Sequence, residues 1–241
     1  MNIEALLISI DEPQLERCVE SIKNQTIPFS KFIHINGVCP QHEAYNKGLE
    51  QLSGDWFARV EGDHILYDFA TEIMIKKIQE DRNENTVFHT FSLLDTFIQN
   101  RWSGLGIFRT EAFKDLKWPD ELACDRRPWE RLSLENKFSH ARHRTFIGTH
   151  FDKPDDFQVF SRFYPYGLKF NSIVIGREMQ NMKRLLELTG DPLYQTAIDA
   201  MLFASQRKKY PGSKNNDFAR KLYDEFIGSY RQKEVNPNLQ G

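Results

Sequence analysis

The sequence contains little cysteine and no pattern that would use it. Cys18, Cys39 and Cys124 are an odd number, and none of them forms a CxxC pair. Disulfide frameworks and thiolate zinc sites need several cysteines at set spacings, so neither is expected here. We expect the thiols to be reduced, as is typical of the cytosol.

The chain also lacks a long apolar run and an excess of charge of one sign. It begins with MNIE and enters a short apolar segment at once, without the pattern of a signal peptide or the length of a membrane helix. The formal net charge of -2 provides no positive field that could hold a nucleic-acid backbone. We therefore predict a cytoplasmic globular protein that binds no nucleic acid.

What the chain does contain is an alternation of strand and helix patterns. Residues 5–10 form a short continuous apolar run, which is typical of a strand covered on both faces. Apolar residues then recur at helical spacing over 15–22, and residues 32–35 resume as a strand. Because a strand, a helix and a strand in this order form a unit with parallel strands, we predict an α/β fold.

The remaining pattern predicts further elements and then a change of architecture. We predict helices over residues 44–52, 67–80 and 128–136, and strands over 56–60, 86–91, 105–108 and 144–147. After about residue 170 the apolar residues recur only at helical spacing, which indicates three helices. We therefore divide the 241 residues into an α/β domain over 1–168 and a helical extension over 169–241.

Two carboxylates one residue apart, Glu61 and Asp63, follow the predicted strand over 56–60. In open α/β sheets, ligands bind beyond the carboxyl ends of the strands. At this spacing both side chains can approach one hard divalent cation, directly or through water. We therefore predict that Glu61 and Asp63 hold Mn²⁺ or Mg²⁺; the alternative is a pair of solvated acids before a turn.

The first part of the chain resembles the family 2 glycosyltransferases in the order and spacing of several blocks. These are residues 7–13, 17–25, 44–49, 54–57, 61–66 and 106–113, and a last block with Trp118-Pro119-Asp120-Glu121-Leu122, Asp125, Trp129 and Arg131-Leu132. The similarity covers roughly residues 3 to 150. It implies the GT-A fold, a nucleotide-binding α/β/α sandwich with a mixed, mostly parallel sheet.

This resemblance implies a metal-dependent glycosyltransferase of the hexosyltransferase type. Such an enzyme moves a sugar from a nucleotide-diphosphate donor, expected here to be a UDP-sugar, to a hydroxyl of a glycan or lipid-linked sugar in polysaccharide biosynthesis. The block at 61–66 lies where the family has its DxD metal motif. Many GT-A enzymes use a late histidine as a further metal ligand, which implies His150, with His64, His140 and His143 as competing positions.

The last block is similar to the family segment that supplies the catalytic base. Asp125 lies six residues before Arg131, as the family's base does. An inverting transfer needs a base that takes the proton of the acceptor hydroxyl. The resemblance therefore implies Asp125 as the base, with Glu130 as the fallback. The alternative is that Asp125 only pairs with Arg126, Arg127 or Arg131.

The predicted nucleotide site lies at the mouth of the first strand and next to the metal motif. Its expected members are Ser9, Ile10, Asp11, Glu12, Asn36, Asn46, Glu61 and Gly62. An N-cap role is the alternative for Asp11. Three departures from the family pattern bear on this site: Glu61 stands in place of an aspartate, Asn36 in place of an acid, and Cys124 in place of the glutamate before the base.

Two other functions fit parts of the pattern. A nucleotidyltransferase that makes nucleotide sugars also combines an α/β sheet with acidic metal ligands, but its glycine-rich loop is missing from Ser9-Ile10-Asp11-Glu12-Pro13. A catalytically inactive binding or scaffold protein of the same fold would explain the three departures. For the helical extension we expect packing on the α/β domain or a homo-oligomer contact, and a peripheral membrane contact is the alternative.

Overall fold

A computed structural model of the chain describes residues 1–121, 138–169, 172–207, 212 and 214–231. The described part forms two compact units, Met1–Lys153 and Pro154–Gly241. The boundary falls fifteen residues before the predicted one at 168/169, because residues 156–169 form a helix that belongs to the second unit.

The first unit is built on a seven-stranded sheet. Its strands are β1 (Ile3–Ser9), β2 (Lys31–Asn36), β3 (Trp56–Glu61), β4 (His64–Leu66), β5 (Thr86–Asp95), β6 (Asn100–Arg109) and β7 (Ser139–His150), in the spatial order β2-β1-β3-β6-β5-β7-β4. Five strands run in the same direction, and β6 and β4 run against them. The predicted mixed, mostly parallel sheet is therefore confirmed.

Helices cover the sheet on both faces and make it the middle of three layers. The described helices of this unit are α1 (Leu15–Lys23), α2 (Gln41–Leu49), α3 (Ala70–Glu80) and α4 (Thr110–Phe113), and the predicted helix over 128–136 lies outside the described residues. One core cluster packs α1 and α3 against the sheet, and the other packs α2, α4 and Trp118 against the opposite face. All seven residues of β1 are buried, which explains the apolar stretch from Ala5 to Ile8, and Glu4 and Ser9 are buried polar residues of the same strand.

The second unit is helical. It contains α5 (Asp156–Lys169), α6 (Ser172–Thr189), α7 (Leu193–Ser205), α8 (Asn216–Glu225) and a π-helical turn over Phe226–Arg231. The three helices predicted after residue 170 correspond to α6, α7 and α8, whereas α5 was not predicted. Pro165 and Gly167 within α5 obscure its helical pattern, but Gly167 packs closely on the backbone of Met201 in α7. Tertiary packing therefore overrides the local signal for a break.

Candidate metal and nucleotide site

The side chain of Asp63 is placed by the short connection between β3 and β4. Gly62, in this connection, donates its N–H to the carbonyl of Ile8 at the end of β1 over 3.1 Å, and the carbonyl of Asp63 accepts from Phe151 over 3.1 Å. These two bonds tie the connection to the ends of β1 and β7. Asp63 consequently lies beyond the carboxyl end of β3, as the sequence predicts.

The pairing of β4 with β7 brings two histidines beside Asp63. His64 and His150 are directly opposite each other in this antiparallel pair, and their ring centroids are 5.3 Å apart. The Nε2 atom of His150 lies 3.3 Å from Oδ2 of Asp63, and Nε2 of His64 lies 3.8 Å from Oδ1. One candidate ligand atom from each of the three residues lies within 4.8 Å of the other two. A divalent cation fits this donor set.

A fully buried carboxylate orients His150. Nδ1 of His150 donates to Oδ2 of Asp95 over 2.7 Å, and Oδ1 of the same carboxylate accepts from the N–H of Ile98 over 2.9 Å. Asp95 has no exposed area. The ring of Trp102 stacks on the imidazole of His150 at 5.0 Å and an interplanar angle of 5°. The histidine ring is thus held at one edge and on one face.

His64 is oriented by the backbone. Its Nδ1 accepts the N–H of Glu61 over 3.3 Å. Burial lowers the pKa of His64 to about 4, although the nearby carboxylates of Asp63 and Glu61 act in the opposite direction. The imidazole of His64 is therefore neutral at neutral pH.

Glu61 lies next to this cluster but makes different contacts. Its Oε1 accepts a hydrogen bond from the hydroxyl of Tyr45 over 2.9 Å and lies 3.8 Å from a guanidinium nitrogen of Arg59. Arg59 is buried among aromatic rings, with its guanidinium 5.6 Å from the ring of Tyr45 and 5.7 Å from that of Trp118. Among the described residues, the group able to hold a metal contains His64 and not Glu61. The predicted metal role of Glu61 thus gains no support from the geometry.

Glu12 adds a third acid to the neighbourhood. Burial raises the pKa of its carboxyl to about 7, hydrogen bonds from the N–H groups of Ile10 and Glu12 itself oppose this, and the charges of Asp63 and Glu61 add to it. A Cβ atom at Gly62 would overlap the Glu12 carboxylate, so Gly62 permits the close approach. The three carboxylates together favour a cation at this edge of the sheet.

The other predicted nucleotide contacts lie at the ends of β1 and β2. The hydroxyl of Ser9 donates to Oδ1 of Asn36 over 2.8 Å and lies 2.7 Å from Nε2 of His34. Asp11 has a positive φ of 58° and is exposed. The N-cap of α1 is Gln14, so the N-cap alternative for Asp11 is wrong.

Asn46 forms two hydrogen bonds with the backbone of Trp118. Its Oδ1 accepts the N–H of Trp118 over 2.8 Å, and its Nδ2 donates to the carbonyl of Trp118 over 3.2 Å. The side chain therefore ties α2 to the segment after α4. A contact of Asn46 with the nucleotide stays a prediction.

Comparison with known proteins places the fold. No protein-family model and no curated protein sequence matches the chain. Among solved structures, the mannosyltransferase PcManGT from Pyrobaculum calidifontis in complex with GDP-Man and Mn²⁺ is similar with a TM-score of 0.54 and 9% identity, over 98% of this chain and 81% of that chain. The chain has the GT-A fold.

Two further solved structures are similar to the chain, with lower TM-scores. S. aureus TarS 1-349 in complex with UDP has a TM-score of 0.49 and 11% identity, over 85% of this chain and 81% of that chain. Glucosyl-3-phosphoglycerate synthase from Mycobacterium tuberculosis in complex with Mn²⁺, UDP and phosphoglyceric acid has a TM-score of 0.48 and 12% identity, over 64% of this chain and 72% of that chain. In the described part of the GT-A chain, no helix is long and apolar enough to cross a membrane.

The structure brings some of the sequence-predicted site residues together around Asp63 and leaves others apart from it. Asp63 and His150 are brought together, and Glu12, Glu61 and Gly62 lie around them. His140 and His143 pair with Thr90 and His89 of β5, so these competitors of His150 do not contact Asp63. Asp125 and Glu130, the predicted base and its fallback, lie outside the described residues.

Sequence reasoning missed Asp95 and Tyr45 in the candidate site. The predicted strand over 86–91 ended too early, because β5 continues to Asp95. An acid at the carboxyl end of a strand is the same signal that singled out Asp63, so Asp95 could have been found with the correct strand end. Tyr45 gave no signal beyond its place on an apolar helix face.

Proposed function

We propose that this chain is a metal-dependent glycosyltransferase that transfers a sugar from a nucleoside-diphosphate donor to an acceptor hydroxyl. The observation that carries the proposal is the pair of Asp63 Oδ2 and His150 Nε2, 3.3 Å apart at the carboxyl ends of β3 and β7 in a GT-A fold. Cis ligands at about 2.1 Å from an octahedral cation are about 3 Å apart, so this spacing suits Mg²⁺ or Mn²⁺.

The metal would be held by Asp63 and His150, and Mn²⁺ or Mg²⁺ is the expected ion. When bound, such an ion stabilises the negative charge that develops on a departing diphosphate. The cluster of Glu12, Glu61 and Asp63 supports this role because a cation offsets the mutual repulsion of their charges.

The donor is expected to be a UDP-sugar that lies along the ends of β1 and β2. The polar groups of Ser9, Asn36 and Glu12 there support nucleotide contact because they offer hydrogen bonds at the edge where ligands bind in open α/β sheets. The complex of PcManGT with GDP-Man and Mn²⁺ gives a guanosine nucleotide as the competing donor class. A hexose is the expected sugar.

In the transfer, the acceptor hydroxyl oxygen forms a bond to the anomeric carbon while the bond from that carbon to the diphosphate oxygen breaks. Asp125 takes the hydroxyl proton, and Glu130 is the fallback for this role. Attack opposite the leaving group inverts the anomeric configuration. The expected acceptors are glycans or lipid-linked sugars in polysaccharide biosynthesis.

Calorimetric titration tests the donor class and the metal requirement together. UDP, GDP, CDP and dTDP are titrated into the full chain with Mn²⁺ and then with EDTA, and the series is repeated on Asp63→Asn and on the matched control Asp68→Asn. We expect one diphosphate to bind only with metal, to bind Asp63→Asn at least about 10-fold more weakly and to bind the control normally. Equal binding with Mn²⁺ and with EDTA would overturn the proposed metal dependence.

The chemical step is tested on the variant Asp125→Asn with the sugar form of the diphosphate that binds. We expect normal diphosphate binding and a loss of transfer of roughly 10²–10⁴-fold, the usual contribution of a general base. Full activity of Asp125→Asn together with loss in Glu130→Gln would move the base to Glu130. A product with the anomeric configuration of the donor would contradict inversion.

A further inference from the structure

We propose that Asp95 is the positioning residue that holds His150 in the form that can ligate the metal, and that His64 does not bind the metal. This inference rests on the metal site of the proposed function. It distinguishes ligands from non-ligands among Asp63, His64 and His150, whose candidate ligand atoms all lie within 4.8 Å of one another.

The hydrogen bond with Asp95 fixes the position of the proton on His150. A carboxylate only accepts hydrogen bonds, so the 2.7 Å contact from Nδ1 of His150 to Oδ2 of Asp95 requires the proton on Nδ1. The other oxygen of Asp95 is occupied by the N–H of Ile98 over 2.9 Å, so the carboxylate cannot turn away. The lone pair of neutral His150 is thereby directed through Nε2.

The Nε2 atom of His150 faces a carboxylate oxygen of Asp63. Oδ2 of Asp63 lies 3.3 Å away, and both atoms carry lone pairs. Two acceptors facing each other at this distance repel unless a cation or a proton lies between them. A divalent ion ligated by both atoms resolves this conflict, and the buried Asp95 increases the basicity of His150 as a ligand.

His64 differs from His150 in the ring nitrogen that carries the proton. Nδ1 of His64 accepts the backbone N–H of Glu61 over 3.3 Å, which places the proton of the neutral ring on Nε2. Ligation through Nε2 would move this proton to Nδ1, where it would face the N–H of Glu61. His64 is 1% exposed, so water could not supply the missing acceptor and ligation through its Nε2 is disfavoured.

The substitution Asp95→Asn tests whether Asp95 holds the proton on Nδ1 of His150. An amide offers one oxygen and one NH₂ group, so it can accept from Ile98 or from His150 but not from both in the present arrangement. If the oxygen stays with Ile98, the NH₂ group faces His150 and favours the form whose Nε2 carries the proton. We expect Mn²⁺ binding to Asp95→Asn to be weakened about 10–100-fold.

Binding of Mn²⁺ alone is measured on the full chain from the electron paramagnetic resonance signal of the free ion. We compare wild type, Asp95→Asn, His150→Ala, His64→Asn and the control Asp81→Asn, which alters a second Asp–His pair, Asp81 with His89, 3.8 Å apart. Asparagine at 64 retains an acceptor for the N–H of Glu61. We expect a strong loss of Mn²⁺ affinity in His150→Ala, a loss of less than about 10-fold in His64→Asn and no change in the control.

The melting temperature of each apo variant is also measured. A purely structural role of Asp95 would lower the melting temperature and leave Mn²⁺ affinity unchanged.

A second measurement avoids variants that fail to fold. Electron spin echo modulation of Mn²⁺ bound to wild-type protein labelled with ¹⁵N-histidine counts the coordinated imidazoles, and we expect one. Two coordinated imidazoles, or unchanged Mn²⁺ affinity in Asp95→Asn, would overturn the inference. If Mn²⁺ binds as expected but no nucleoside diphosphate does, the inference stands and the proposed function fails; if wild type binds no Mn²⁺, both fail.

Discussion

The hydroxyl of Tyr45 in α2 donates a hydrogen bond to Oε1 of Glu61 at the end of β3 across 2.9 Å. Tyr45 is fully buried, whereas the side chain of Glu61 is 26% exposed. The bond therefore joins a residue of the core to an acid at the edge of the candidate site. Arg59, 3.8 Å from the same oxygen, adds a positive charge beneath it.

The substitution Tyr45→Phe removes this hydrogen bond and leaves the packed ring. Because the acceptor is charged and partly buried, we expect the free energy of unfolding to fall by about 1–2 kcal/mol. Urea unfolding measures the change, and Tyr67→Phe is the control because its ring is only half-buried. Equal losses of unfolding free energy in Tyr45→Phe and Tyr67→Phe would show that the bond to Glu61 adds no stability beyond that of the control hydroxyl.

The two hydrogen bonds between Asn46 and the backbone of Trp118 predict a role of Asn46 in stability. Asn46→Ala leaves the N–H and the carbonyl of Trp118 without these partners, and we expect a loss of about 1–3 kcal/mol in urea unfolding. The matched control is the exposed neighbour Lys47→Ala. An unchanged stability together with weaker nucleotide binding would instead favour the nucleotide contact predicted from the sequence.

His89 predicts a loss of stability in mild acid. Burial lowers its pKa from 6.5 to about 4, with His143 acting in the same direction and Asp81 opposing it. The unfolded chain therefore binds a proton at a higher pH than the folded chain does. The contribution of His89 is complete above about pH 6.5 and declines as the pH falls towards 4, with a slope of at most about 1.4 kcal/mol per pH unit.

Urea unfolding of wild type and His89→Asn at pH 7.5, 6.0 and 5.0 measures this decline. Asparagine can retain a hydrogen bond with His143, whose Nε2 lies 3.0 Å from Nδ1 of His89, and it does not titrate. We expect the variant to lose less stability than wild type between pH 7.5 and 5.0. Parallel curves would show that His89 does not contribute to the acid sensitivity.

In the helical unit, Asp156 joins three helices. Its two oxygens accept from the hydroxyls of Thr196 in α7 and Tyr223 in α8, over 2.5 Å and 2.7 Å. We expect Asp156→Ala to cost about 2–3 kcal/mol, because two donors lose a charged partner, and Tyr223→Phe to cost about 1 kcal/mol. Thermal unfolding followed by circular dichroism compares these variants with the exposed control Asp224→Ala. A result equal to the control would make Asp156 dispensable for the packing of these helices.

Local patterns were sufficient to predict the first elements of the fold. The apolar run of β1, the helical spacing of α1 and the apolar start of β2 are properties of short segments, and they dictate a parallel pair. The position of Asp63 beyond β3 follows from the same kind of signal. In these cases, the side chains that determine the structure are neighbours in the sequence.

Only the tertiary structure decided which distant residues meet. Asp95 and His150 are 55 positions apart and come together because β5 and β7 pair in one particular register. The short strand β4 brings His64 beside His150 because β4 pairs with β7. Its three residues have no periodic pattern of their own. The sequence by itself therefore determined the opening strand, helix and strand of the sheet and the edge at which the acids lie. The partners within the site depended on strand register and sheet order, because hydrogen bonds between distant strands leave no trace in local periodicity.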